Sequence, residues 1–294
     1  MKLALIGQGY WGTKIAKECY ALNIQTDVFE IGSDISGINP KTHNGVIVAT
    51  PAEDHANTTI QLLKNQNNIL VEKPIAQNSQ ELKRICNAIT NQKVMVGHIL
   101  LYNNLYKKIK PLIKNLKYVH VRRNAWGRFK KNITPILNLA PHDVALFDDL
   151  FKRNPLSVYS HGVKITGHAQ PDVVYCFLDY GSQHVTLELG WYNHEKVRET
   201  NFVCDTKHIV WNDLDKSIWI KELFLDENKR QQQGPSHQLH IDDDISPLQN
   251  QIKAFQDYVM ENKLPISNLN HANRVTKIVD ALEESYNKGT KICL

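Results

Sequence analysis

Cysteine is scarce in this sequence: five of the 294 residues are cysteines, at positions 19, 86, 176, 204 and 293. They are far apart and include no C-x-x-C pair, so they provide neither a disulfide framework nor a thiolate metal site. The 13 histidines also lack the H-E-x-x-H pattern and other metal-ligand spacings. We therefore expect no bound metal and a reducing compartment, the cytoplasm.

Long apolar runs and blocks of one charge are missing as well. The chain starts with an apolar run that Gly7, Gly9 and Gly12 interrupt, which makes it too short for a signal peptide. No later segment approaches the roughly 20 apolar residues of a membrane span. Lys and Arg number 35 against 30 Asp and Glu, a net charge of +5, and they are scattered along the chain. These absences exclude a membrane protein and argue against a nucleic-acid partner.

The composition is that of a globular protein, with 42% hydrophobic and 22% charged residues, and 294 residues are enough for about two domains. In the first third, short apolar runs are predicted to form strands at 3–6, 26–29, 45–49, 68–71 and 94–96. Helical periodicity separates several of them, at 15–20, 58–63 and 79–89. This alternation predicts a doubly wound α/β domain with a parallel sheet. The interval 31–44 is too short for a helix and a strand, so we expect one strand–helix unit of this domain to be shortened.

Beyond a helix expected at 103–113, the pattern changes to successive strands. They are predicted at 118–122, 157–164, 172–180, 183–189, 197–204, 208–211 and 217–220. The segment Asp179-Tyr180-Gly181-Ser182 has the composition of a hairpin turn. A polar stretch at 226–244 is expected to be a surface loop, and amphipathic helices at 248–261 and 273–286 end the chain. We predict a second, α+β domain with a mostly antiparallel sheet, and divide the chain into residues 1–116 and 117–294.

A glycine motif follows the first predicted strand. Residues 7–12 read Gly-Gln-Gly-Tyr-Trp-Gly, a G-x-G-x-x-G at the start of a helix, and the acidic residue Glu30 ends the next strand. This context is the dinucleotide fingerprint: the glycines permit a tight turn and close approach of a pyrophosphate, and the carboxylate accepts the ribose hydroxyls. We assign to cofactor binding Gly7, Gln8, Gly9, Tyr10, Trp11, Gly12 and Glu30. Glu30 opposes a 2′-phosphate and residues 31–37 contain no Lys or Arg, so the predicted cofactor is NAD rather than NADP.

Two further segments follow predicted strands, at the sheet edge where ligands bind in doubly wound folds. They are Val48-Ala49-Thr50-Pro51 with His55, and Leu70-Val71-Glu72-Lys73-Pro74. The combination resembles the GFO/IDH/MocA oxidoreductase family over essentially the whole chain. The resemblance implies a Rossmann domain joined to a domain with a large open sheet. It places Thr50, Pro51, His55, Glu72 and Pro74 at the cofactor. It gives Lys73 contact with the nicotinamide and the substrate hydroxyl, and implies a cis peptide at Lys73-Pro74.

The family's second catalytic segment is a D-x-x-x-H helix, and residues 138–142 of this sequence, Asn-Leu-Ala-Pro-His, are the best match. Because proline is tolerated only in a first helical turn, we expect Asn138 and His142 at a helix entrance. His142 is the predicted general acid/base, since imidazole changes charge near neutral pH. Asn138 replaces the family's usual Asp and cannot take up a proton, so its expected role is to orient the substrate.

Other candidate substrate contacts rest on single residues. The family's usual arginine before Tyr102 is replaced by leucine, which removes one polar contact. Tyr102, Arg122, Arg123, Trp126, Arg128 and His271 remain as candidates to face the cleft, where the arginines could hold an anionic group. For each of them a packed or solvated position is the alternative.

The residues and the resemblance together predict a hydride transfer between NAD and a secondary hydroxyl of a sugar or nucleotide sugar. The run at 139–143 is similar to the subset of the family linked to cell-surface sugar biosynthesis. The alternative is a non-catalytic dinucleotide and sugar sensor, because the same fold serves repressors. A homodimer or homotetramer is also expected, since both alternating sets in residues 173–178 are apolar and the two final helices can cover only one sheet face.

Overall fold

A computed structural model describes residues 1–127, 129, 133–239 and 245–294. It divides into two compact units. The first unit consists of Met1–Asn103 and Ile245–Lys277, and the second of Asn104–Asp244 and Ile278–Leu294. The division therefore differs from 1–116 and 117–294, because the chain leaves the first unit at Asn103 and later returns to it. The sequence pattern does not reveal that return.

The first unit contains a five-stranded parallel sheet with helices. Its elements are β1 Lys2–Ile6, α1 Tyr10–Ala21, β2 Gln25–Phe29, β3 Gly45–Val48, α2 His55–Lys64, β4 Ile69–Glu72, α3 Ser79–Ala88, β5 Val94–Gly97, a 3₁₀ helix Ile99–Tyr102 and α6 Pro247–Glu261. The strand order is β2-β1-β3-β4-β5, with every pair parallel. The chain crosses from β2 to β3 through turns, without a helix. The predicted doubly wound sheet and its shortened unit are confirmed.

Burial explains why these short runs form strands. All residues of β3, β4 and β5 are buried, as expected for parallel strands covered on both faces. Helix α6 packs against β3 in this unit. The Phe255 ring of α6 lies so close to Gly45 of β3 that a Cβ at residue 45 would be 2.9 Å from it. Ser246, the N-cap of α6, donates to Glu18 of α1 at 2.9 Å. The expectation that both final helices cover the antiparallel sheet is therefore wrong for α6.

The second unit contains a nine-stranded open sheet. Its elements are α4 Asn104–Ile109, a 3₁₀ helix Lys110–Leu112, β6 Leu116–Trp126, α5 Pro135–Phe151, β7 Ser157–Val163, β8 Val173–Asp179, β9 His184–Gly190, β10 Tyr192–Cys204, β11 Lys207–Asn212, β12 Ser217–Leu225, β13 Gln231–Leu239 and β14 Ile292–Cys293. Helix α7, Leu269–Lys288, supplies residues to both units. The order is β13-β12-β11-β10-β6-β9-β8-β7-β14. Among the described strands of this second sheet, only β6 and β9 pair in parallel, which confirms the mostly antiparallel prediction.

One predicted loop of this unit is a strand. Residues 231–239 lie within the expected loop at 226–244, yet they form β13 and pair with β12. The strand lies at the sheet edge and most of its side chains are exposed, so its sequence has no apolar alternation. Backbone pairing with β12, rather than side-chain burial, defines it. The turn predicted at 179–182 does join β8 to β9, with Gly181 at φ +85°.

None of the described helices combines the length and apolar character needed to cross a bilayer.

Candidate active site

The glycine loop leaves β1 at the point where strand order reverses. β1 pairs with β2 on one side and with β3 on the other, and ligands of doubly wound folds bind at such a point. Gly7 has φ +99°, and a Cβ there would lie 2.6 Å from the Ala49 carbonyl oxygen. Gly12 is restricted by contact, because its Cβ would meet the Gly7 oxygen at 1.9 Å. The loop is therefore packed tightly against β3.

Gly9 differs from its two neighbours in the motif. A Cβ at Gly9 would meet nothing within 4 Å, so this glycine is not required by packing within the described residues. Gly9 is the N-cap of α1 and brings no side-chain oxygen to the first-turn N–H groups. An open backbone surface at a helix N-terminus is the arrangement that accepts a pyrophosphate. The loop thus fits a dinucleotide.

Glu30 lies next to this loop. The Gly7 N–H donates to the Phe29 carbonyl oxygen at 2.8 Å, which holds the end of β2 beside the glycines. Glu30 follows directly and is exposed. The described turn at 31–37 carries no basic residue to receive a 2′-phosphate. This placement agrees with a role in holding a ribose.

His55 links the two segments that follow β3 and β4. Its Nδ1 lies 2.7 Å from the Pro74 oxygen and its Nε2 lies 2.9 Å from the Thr50 oxygen. The ring is buried, and burial lowers the pKa of His55. His55 therefore holds the backbone of the Thr50 and Pro74 segments together. The Lys73-Pro74 peptide is cis, as the resemblance implied. Thr50 Oγ1 is buried and has no hydrogen-bond partner among the described residues, so a bound cofactor could satisfy it.

Glu72, at the end of β4, is a buried carboxylate next to Lys73. Its Oε2 accepts from the Lys73 backbone N–H at 3.3 Å, and its Oε1 accepts from Gln251 Nε2 of α6 at 3.2 Å. The carboxylate occupies the space above Gly97 on β5, where a Cβ would lie 2.5 Å from Oε1. Burial raises the pKa of Glu72. Glu72 thus holds the Lys73 backbone rather than facing solvent.

In the second unit, α5 carries Asn138 and His142. Their spacing of four residues places both half-buried side chains on one helix face. The helix begins at Pro135 after the Thr134 N-cap, whose Oγ1 accepts from the Leu137 N–H at 3.0 Å. Glu283 of α7 also accepts from this N–H, at 3.1 Å, and burial raises the pKa of Glu283. The start of α5 is therefore fixed by two acceptors.

The predicted helix entrance at Pro141 is wrong. Pro141 lies inside α5, which starts at Pro135. An interior proline removes one backbone hydrogen bond. The surrounding residues Ala140, Val144 and Ala145 are buried, and packing of this face stabilises the helix in spite of the loss. Asn138 consequently closes the first turn of α5, where its N–H donates to the Thr134 oxygen at 3.1 Å, and His142 lies one turn farther into the helix.

Three of the six candidate substrate residues are buried in contacts with other side chains. Tyr102 is buried and hydrogen bonds Ser267 at 2.8 Å, and burial raises its pKa to about 12. His271 is buried with its ring 5.1 Å from that of His98. Arg123 is buried in an ion pair with Asp143. Contacts distant in sequence bury these three side chains, which is the packed alternative given for each of them.

The remaining substrate candidates lie on the surface or outside the described residues. Trp126 is exposed, and its ring contacts the Tyr192 ring edge-on with 5.1 Å between the ring centroids. Arg122 Nε lies 3.5 Å from Glu188 Oε2 in an ion pair. Arg128 lies outside the described residues. No group of three or more His, Cys, Asp or Glu side chains in the described part of the chain could hold a metal ion.

Sequence reasoning missed several residues that support the site. Gln251 and Glu283 come from the last two helices, and their partners are more than a hundred positions earlier. Asp143, next to His142, was not assigned its pairing with Arg123. One local signal was available: Gly97 follows an apolar run, and a glycine at a strand end indicates close approach of another group, here the Glu72 carboxylate.

Comparison with known proteins agrees with this geometry. Residues 35–99 match the family model GFO_IDH_MocA, described as an oxidoreductase family with an NAD-binding Rossmann fold. The resemblance read from the sequence is confirmed, and so is NAD as the cofactor, because the family is NAD-binding.

A relative from Streptococcus pneumoniae serotype 4 is described as an uncharacterized oxidoreductase. It is 27% identical over 158 residues, which cover 46% of this chain and 43% of that protein. This chain therefore matches less than half of the length of that relative.

Solved structures of the GFO/IDH/MocA type share the fold. UDP-N-acetylglucosamine 3-dehydrogenase GnnA from Acidithiobacillus ferrooxidans is 15% identical with a TM-score of 0.84, covering 98% of both chains. An inositol dehydrogenase homolog from Azotobacter vinelandii, complexed with NADH and myo-inositol, is 13% identical with a TM-score of 0.83. That match covers 100% of this chain and 97% of the homolog. At such identities the likeness shows the fold alone, and it confirms the predicted fold class.

Proposed function

We propose that this chain is an NAD-dependent dehydrogenase that transfers hydride between the nicotinamide and a secondary hydroxyl of a sugar or nucleotide sugar. The observation that carries the proposal is the open surface of Gly9 at the start of α1, in a loop whose Gly7 N–H donates to the Phe29 carbonyl oxygen next to Glu30. The names of the two similar structures, a UDP-N-acetylglucosamine dehydrogenase and an inositol dehydrogenase homolog, support a polyhydroxylated substrate. A role in cell-surface polysaccharide synthesis is part of the proposal.

The proposed cofactor contacts are the glycine loop 7–12, Glu30, Thr50, Pro51 and the segment 72–74. When bound, NAD supplies the hydride acceptor. Glu30 would accept the adenosine ribose hydroxyls, and its charge would disfavour a 2′-phosphate. His55 would act indirectly, since both of its ring nitrogens lie at backbone carbonyl oxygens.

Three residues are proposed to act on the substrate. Lys73 would hydrogen bond the reacting hydroxyl and orient it, with its backbone held by Glu72. His142 would take the hydroxyl proton as hydride leaves, which requires neutral imidazole at the start of oxidation. Asn138, one turn earlier on α5, would hydrogen bond the substrate without titrating.

The sensor alternative is favoured by one observation, the amide of Asn138 where the family's catalytic segment usually has a carboxylate. A sensor would bind NAD and a sugar without turnover. Mass spectrometry of ligands that co-purify with the protein would first name candidates. Near-ultraviolet absorbance of reduced nicotinamide would then be followed with a panel of sugars and nucleotide sugars. Absorbance change supports the enzyme, whereas binding of both ligands without any change identifies a sensor.

We also propose that the second unit forms a homodimer, or a tetramer built from it, through the open face of its sheet. Helices α5 and α7 lie on the other face, where Ser285 of α7 accepts from the Ser160 N–H at 3.0 Å. The open face exposes five aromatic side chains by 36 to 50%: Tyr118, Tyr159, Tyr175, Phe177 and Trp219. It also carries Arg122 and Glu188, so both charge signs are available to a second copy.

A further inference from the structure

A buried ion pair joins β6 to α5 directly beside His142. Arg123 Nε donates to Asp143 Oδ2 at 2.8 Å, and Arg123 Nη2 donates to Asp143 Oδ1 at 2.6 Å. Arg123 is 8% exposed and Asp143 is 0% exposed. A pair this deeply buried contributes little net stability compared with apolar residues of similar volume. Two parallel hydrogen bonds do, however, fix the orientation of both partners.

Two more charges surround this pair. Arg198 on β10 stands opposite Arg123 in the strand register, and its Nη1 lies 3.6 Å from Asp213 Oδ2. The Asp213 N–H also donates to the Arg198 carbonyl oxygen at 2.9 Å. Desolvation alone would lower the pKa of Arg123, but the attraction of Asp143 outweighs it and the pKa is raised. The guanidinium therefore stays charged across the working pH range.

The helix needs such an attachment at this place. Pro141 has no N–H, so the turn of α5 that carries Asn138 and His142 lacks one backbone hydrogen bond. Asp143 follows within the same turn, and its bidentate contact reaches β6, a central strand of the sheet. The rotation of α5 about its own axis is thereby tied to the sheet at the residue next to His142.

We propose that Arg123 is a positioning residue that acts through Asp143 to fix the orientation and electrostatic surroundings of His142. The inference rests on the proposed function only in taking His142 as the acid/base residue. Arg123 thus serves the reaction without touching the substrate, which differs from the substrate contact expected of it. The charges involved are Arg123, Asp143, Arg198 and Asp213, two of each sign.

The test is an NMR titration of the His142 imidazole in isotope-labelled full-length protein, with the signal assigned by its loss in His142→Gln. Asp143→Asn leaves Arg123 charged without its partner, so the His142 pKa should fall by about half a unit or more. The double variant Arg123→Met/Asp143→Leu removes both charges, and the pKa should return close to the wild-type value.

A matched control exists on the same helix. Asp149 of α5 is buried and accepts from Lys110 at 2.6 Å and from Lys152 at 2.7 Å, so Asp149→Asn removes a buried carboxylate from its cations farther from His142. It should leave the His142 pKa unchanged. An Asp143→Asn protein that folds without a shift, or equal shifts in Asp149→Asn and Asp143→Asn, would overturn the proposal.

Kinetics provide the second readout once a substrate is known. Arg123→Lys keeps the charge but loses the fork geometry, so kcat should fall about tenfold with KM changed by less than threefold. An unchanged kcat would contradict the positioning role. Because the NMR titration needs no turnover, a protein that proves to be a sensor would still show whether Arg123 controls His142.

Discussion

The glycines of the 7–12 loop have separable roles at the residue scale. Gly12→Ala would place a Cβ 1.9 Å from the Gly7 oxygen, so we expect a loss of stability of more than about 1 kcal/mol. Gly9→Ala meets nothing within 4 Å and φ −67° at Gly9 suits alanine, so its melting temperature should match wild type. If Gly9 receives the pyrophosphate, Gly9→Ala should weaken NAD binding at least tenfold. Unchanged NAD affinity in Gly9→Ala would contradict this assignment.

Glu30 decides which dinucleotide is preferred. We expect NAD(H) to bind at least tenfold more tightly than NADP(H), a difference of about 1.4 kcal/mol, because the carboxylate repels a 2′-phosphate. Glu30→Ala should reduce the difference between the NAD(H) and NADP(H) affinities. Calorimetry measures both affinities, and Asp34→Ala, in the same turn, is the control that should leave the difference unchanged. Equal wild-type affinities would remove Glu30 from the ribose site.

Single residues were predictable where a local pattern sets their environment. The glycine loop and the end of β2 follow from a motif and a strand period, and their positions agree with the prediction. The positions of Tyr102 and His271 were not predictable, because their partners Ser267 and His98 come from distant parts of the sequence. Burial of such side chains depends on tertiary contacts that no local spacing records.

Helix α5 has Asn138 at the position where the D-x-x-x-H segment of the GFO/IDH/MocA family usually has Asp. Asn138→Asp would place a negative charge one turn from His142, about 5–6 Å between Cβ atoms. It should raise the His142 pKa, because the charged imidazole gains an attractive partner. Since oxidation needs neutral imidazole, the pH optimum for alcohol oxidation should move upward. Asn138→Ala removes the amide without adding charge and should not raise the optimum. A downward shift or an unchanged optimum in Asn138→Asp would contradict the assigned role of His142.

Elements were predicted best where burial imposes a pattern. The strands β1, β3, β4 and β5 are apolar except for Lys2 and Glu72, and they were located from sequence. Strand β13 was missed because backbone pairing defines it. The full extent of α5 was missed because Pro141 interrupts the local helix signal. Packing against neighbouring elements outweighs local preference in both cases.

At the scale of the whole molecule, the open face of the nine-stranded sheet predicts self-association. Light scattering at micromolar concentration should give at least twice the mass of one chain. Phe177→Asp places a charge on the open face beside Tyr159 and should shift the mass toward the monomer. Tyr20→Asp, at an exposed position of the first unit, should not. A wild-type protein with the mass of one chain would contradict the dimer.

Lys73 is the residue on which the proposed hydride transfer depends most, because it is assigned to the reacting hydroxyl. The most direct measurement compares wild type with Lys73→Ala for NADH formation on the identified substrate and for NAD affinity by calorimetry. We expect turnover to fall by roughly 10² or more while NAD affinity stays within about threefold. Turnover in Lys73→Ala equal to wild type, or no NADH formed by wild type with any bound sugar, would contradict the claim.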